Sequence, residues 1–215
     1  MSKPRERWVE SGTDLERTVF FSDAVFAIAI TLLILDIRVP EMPKEQISAQ
    51  LPSLAFGLWP RVLSFVVSFL VIGSFWMSHH RMFHYIKRYD GRLLWINFFF
   101  LMSIVFLPFP TSVLSAGNEP QQFAGAFYAS SVSIAGLLGA CIWWFATSRR
   151  RLVEDDIYPR LISLFLLRAL ATPLIFGFSI GIPFISVLAA EYSWALVAVA
   201  RWTLPHVLFR GEIET

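Results

Sequence analysis

Charge is scarce in this chain. Only 16% of its 215 residues are Asp, Glu, Lys or Arg, and the formal net charge is +2. So weak a positive balance gives no electrostatic footprint for nucleic acid, and no zinc-finger or RNA-recognition pattern occurs. Cysteine is scarcer still. Cys141 stands alone, which excludes an intrachain disulfide and a cysteine-only metal site. There is no Ser-His-Asp order, P-loop or nucleotide fingerprint, and no visible nucleophile–base pair, so an enzyme is not expected. Also missing is the polar shell of a soluble domain: 56% of residues are hydrophobic, 16% are aromatic and the mean hydropathy is +0.59. That composition belongs to an all-α, polytopic membrane protein.

A spanning helix needs roughly 20 apolar residues. Six segments qualify: 18–37, 54–77, 93–115, 122–147, 161–182 and 186–208. The first is too long for a signal-peptide core, and the charged segment DIRVPEMPKE follows it in place of a cleavage site. Pro108 and Pro110 are expected to kink or stop the third. The small residues of the fourth suit close helix contact in lipid. The connection between the fifth and sixth lies at SIGIP or at AAEYS. The second choice is preferred, because it places Glu191 at an interface. No soluble domain or internal repeat is visible, so residues 1–215 read as one six-helix membrane domain.

Basic residues orient the spans. Lys3, Arg5, Arg7 and Arg17 precede the first; Arg81, Lys87, Arg88 and Arg92 follow the second; Arg149, Arg150, Arg151 and Arg160 follow the fourth. The third and fifth loops have none. This alternation places both termini in the cytoplasm.

The first span reads RTVFFSDAVFAIAITLLILD over residues 17–36. At about 100° per residue, Phe21, Ala24, Ile28, Thr31, Leu32 and Leu35 fall on one stripe. Asp23 falls near the opposite side, with Val19, Phe26, Ile30 and Leu33, and is expected to point at neighbouring helices. A carboxylate costs about 2.5–3.5 kcal/mol at the centre of a span and less near its end. His79, His80, Trp95 and Asn97 are the candidate partners at matching depth. Arg17 is poorly placed to pair with Asp23 within the helix. Three readings remain open: Ser22 and Asp23 cap the helix start, they join an inter-helical network, or Asp23 relays protons. An apolar stripe taken alone is ordinary packing. His80 and His84 stand four apart, but no third ligand accompanies them, so no metal is expected.

The pattern Arg17-x-x-x-Phe21-Ser22-Asp23, followed by FWMSHHRMFHYI, LLWINFFFLMSIVFLPFPTSVL and LLRALATPLIF, resembles the transmembrane protein 175 potassium channel family in its prokaryotic single-repeat form. The resemblance runs over about residues 15–180. It implies a potassium-selective, leak-type channel without cofactors. The channel is a homotetramer among membrane lipids in a cell membrane, with the first helix of each subunit lining a central pore. No TVGYG-like carbonyl filter is present, in keeping with that family. The resemblance puts a hydrophobic constriction at Ile28, with Thr31, Leu32 and Leu35 following along the pore. It gives Arg17, Phe21, Ser22 and Asp23 a structural role with His79, His80, Trp95 and Asn97. The alternative is a proton-coupled transporter or proton channel using Asp23 and a histidine.

Overall fold

The computed structural model describes residues 10–11, 13–37, 57–116, 120–148, 152–154 and 156–194. The basic residues at positions 3–7 and 149–151, most of the first loop and the end of the sixth predicted span lie outside them. Among the described residues, five stretches are long and apolar enough to cross a membrane: Leu15–Asp36, Trp59–Tyr85, Gly91–Ala116, Gln121–Thr147 and Pro159–Phe184.

Helix α1 runs Thr13–Leu32 and tightens into a 3-10 turn at Leu33–Asp36. Its buried positions are Ser22, Phe26, Ala29 and Leu33, spaced four, three and four apart. That spacing is one inward stripe of a helix. Helix α2, Trp59–Tyr85, starts with Pro60 in its first turn, where the missing N–H costs nothing. It turns Val67, Val71, Phe75, His79 and Met82 inward. Helix α3, Gly91–Phe106, is capped by Asp90, whose carboxylate accepts from the Leu93 N–H at 3.0 Å. The third span breaks at Leu107, because Pro108 has no N–H to continue the ladder. Helix α4, Pro108–Ala116, resumes beyond the break.

Helix α5, Gln121–Thr147, forms the spine. Its buried face is mostly small residues, and α6, Pro159–Phe178, packs closely along it. Gly125 lies against the ring of Pro183, Gly136 against that of Pro173 and Gly139 against Phe100. A Cβ at Gly136 would come within 2.7 Å of the Pro173 ring. With no hydrophobic driving force between helices in lipid, such close contact supplies the packing energy.

After α6 the chain passes through a 3-10 segment, Ser179–Phe184, and turns at residues 185–186 into helix α7 at 187–194. The connection is therefore on the SIGIP side, and AAEYS is helical. Ser186 decides it: its hydroxyl accepts the Ala189 N–H at 3.2 Å, a helix N-cap just after Pro183. Glu191 is buried within the subunit, and its carboxylate accepts from Ser64 Oγ at 2.9 Å.

The connections gather at one end of the bundle. Glu10–Ser11 pairs antiparallel with Arg88–Tyr89. The Lys87 N–H donates to Leu152 O at 2.9 Å, and the Glu154 N–H donates to Tyr85 O at 3.0 Å. The chain before α1, the α2–α3 link and the α5–α6 link thus share one side. The α1 end at Asp36 reaches Ser115 of α4, whose hydroxyl donates to the carboxylate.

Candidate functional site

Ser22 sits mid-helix, and its hydroxyl donates back to Thr18 O at 2.8 Å. This bond satisfies the hydroxyl proton where water is scarce. Its oxygen then accepts from Asn97 Nδ2 at 3.1 Å, and Asn97 Oδ1 lies 2.9 Å from His79 Nε2. Three helices are tied by one chain of bonds: α1 through Ser22, α3 through Asn97 and α2 through His79. The His79 ring is stacked between Phe83, at 4.3 Å between centroids, and Phe100, at 5.7 Å. Phe26 closes a third side at 5.6 Å.

Asp23, one residue on, makes a separate tie. Its Oδ1 accepts from Trp76 Nε1 at 2.9 Å. The partner of Asp23 is therefore a tryptophan of α2, not one of the four candidates read from the sequence. His80 enters indirectly: its ring lies 5.7 Å from that of Trp76. The signal for Trp76 was available. It stands three and four residues before His79 and His80, on the same side of α2, but a tryptophan near a span end reads first as part of an aromatic belt.

Trp95 is not in the network. It is 63% exposed and packs edge-on with Phe98. With Arg17, Phe21, Asn97 and Phe98 it lines an open cleft of 680 Å³ between α1 and α3. Asn97 and Thr18 belong to both the cleft wall and the chain of bonds.

The opposite face of α1 is bare within the subunit. Ile28 is 56% exposed, Leu32 40% and Leu35 64%, and Thr31 is exposed between them. The Thr31 hydroxyl donates to Ile28 O at 2.9 Å. Its proton is thereby committed to the helix, which leaves the oxygen lone pairs outward. Leu35 lies in the 3-10 turn, three residues after Leu32, so the two eclipse and the stripe continues through the change of helix type. Helix α1 is thus held by Ser22 and Asp23 at its middle and by Asp36 at its end, and it presents an unbroken apolar stripe with one hydroxyl to the outside.

Among known proteins, the family described as the endosomal/lysosomal potassium channel TMEM175 matches residues 17–108. A potassium channel of Streptomyces collinus is 38% identical over 144 residues, covering 66% of this chain and 68% of its own. The crystal structure of a lysosomal potassium-selective channel TMEM175 homolog from Chamaesiphon minutus superposes with a TM-score of 0.78 at 29% identity, over 88% of this chain and 97% of that one. The endosomal/lysosomal proton channel TMEM175 of Homo sapiens is 33% identical over 113 residues, 50% of this chain and 22% of its own.

Proposed function

This chain belongs to the TMEM175 family of ion channels, and from that premise we propose that it is a potassium-selective channel whose pore is lined by α1 of four subunits. The observation that carries the reading is the two-faced first helix. One face is bonded into the subunit through Ser22, Asp23 and Asp36. The other is apolar and bare at Ile28, Leu32 and Leu35. Four such stripes around an axis make a narrow apolar tube, and a ring of Ile28 side chains closes it by dewetting. Thr31 adds a ring of outward oxygens one turn further along, suited to a partly dehydrated cation. Both termini are cytoplasmic in this reading, and residues 1–215 act as one membrane domain. The gathering of the N-terminal segment and the second and fourth loops at one end supports that orientation, since these carry the basic residues.

Replacing Ile28 with Asn in channels reconstituted in liposomes tests the constriction. A polar ring holds water, so conductance rises and the preference for potassium falls. An unchanged current removes Ile28 from the ion path.

A second reading, proton passage through Asp23 and a histidine, is favoured by the name of the human relative. In this chain Asp23 is bonded to Trp76, which stands between it and the His80 ring. The structural reading expects Asp23→Asn to stay folded and keep its current, because an amide oxygen accepts the same indole N–H. Proton flux in a pH-dye assay that disappears in this variant, with the fold intact, would favour the relay.

A further inference from the structure

His79 holds a polar atom that the pore does not use. The ring is 2% exposed, and among the described residues its Nδ1 is the one buried side-chain polar atom without a protein partner. The direction of the hydrogen bonds around it is fixed. Ser22 gives its only proton to Thr18 O, so Ser22 must accept from Asn97 Nδ2. The Asn97 amide then offers its oxygen to His79, and Nε2 must be the protonated nitrogen. Nδ1 of that tautomer is an acceptor, and a buried acceptor left without a donor costs about 1–3 kcal/mol.

The same histidine lines a cavity with room, 10 Å³, for the centre of one water-sized sphere. Ser78 is the one hydroxyl-bearing residue in its wall, and Gly136 and Gly139 of α5 form the far side. The glycines keep it open: a Cβ on Gly139 would lie 3.2 Å from the Phe100 ring, which is itself part of the wall. A single buried water is the occupant that matches this volume, and it needs two or more polar partners.

We propose that one water molecule is bound in this cavity, donating to His79 Nδ1 and bonded to Ser78, and that it is the terminal member of the chain that runs through Asn97 and Ser22 to Thr18. By donating to Nδ1 the water satisfies that acceptor and keeps the proton on Nε2, in the direction that Ser22 imposes on the chain through Asn97. The site lies behind α1, among α2, α3, α5 and α6. It does not depend on which ion the channel passes.

The test uses the full chain in lipid bilayers with ring-¹⁵N-labelled histidine, read by solid-state NMR. The expected spectrum shows His79 with Nε2 protonated and Nδ1 unprotonated, the latter displaced toward the protonated range and receiving magnetisation from water protons. Gly139→Ala narrows the cavity and Ser78→Val removes the hydroxyl while adding bulk; each is expected to cut that transfer several-fold. The second variant covers the case in which the first does not assemble. A proton on Nδ1, an absence of transfer from water in the unaltered protein, or full transfer in the folded variants overturns the proposal.

Discussion

Ser22 and Asp23 are neighbours with different work. Ser22 closes a buried chain that ends in an aromatic box around His79. Asp23, half-buried, is held by one indole. Trp76→Phe removes that donor while leaving the carboxylate in place, and a hydrogen bond to a charged group contributes about 1.5–3 kcal/mol. Thermal unfolding in detergent should therefore drop further for Trp76→Phe than for Asp23→Asn, which keeps the bond in neutral form. Equal drops would mean that the indole packs but does not bond. The sequence showed that Asp23 needed a partner, because a lone carboxylate in a span is costly. It could not show which one, since a tryptophan, two histidines and an asparagine all sit at the right depth. The rotations of α2 and α3 about their own axes decide among them, and that of α2 is set by the apolar positions Val71, Phe75 and Met82.

At the scale of elements, hydropathy marks the spans well and their ends poorly. The first five predicted spans each have a helical counterpart. The breaks at Leu107 and Ser186 follow local chemistry: Pro108 removes a donor, and Ser186 supplies a cap. The second break differs from the sequence expectation, which rested on the cost of burying Glu191 alone. The buried Ser64 hydroxyl, on a helix more than a hundred residues earlier, lowers that cost and is invisible to local reading. Helix α5 offers a test of element packing. Alanine at Gly136 gains up to about 1 kcal/mol of helix propensity. Its Cβ, at 2.7 Å from the rigid Pro173 ring, forces the two helices apart at a cost of about 1–3 kcal/mol. Gly136→Ala is thus expected to lower the melting temperature; an increase would mean that α5 and α6 have room to spare.

On the scale of the molecule, the proposed pore is not contained in one subunit. Its α1 stripe is an exposed face of one helix, so the proposed pore needs several copies around a shared axis. Native mass spectrometry of the purified channel should find four subunits, and a stable monomer that still conducts would contradict the arrangement. The family was legible in the sequence from the FSD motif and the ordered segments that follow it. The two-faced character of α1 was legible from its spacing. The fastening at Asp36 was not, because Ser115 is 79 residues away. The most direct test of the whole account is the reversal potential of the purified protein in a planar bilayer with potassium on one side and sodium on the other. The account predicts a clear displacement from zero toward the potassium equilibrium potential. A reversal at zero, or no cation current from folded tetramers, would contradict it.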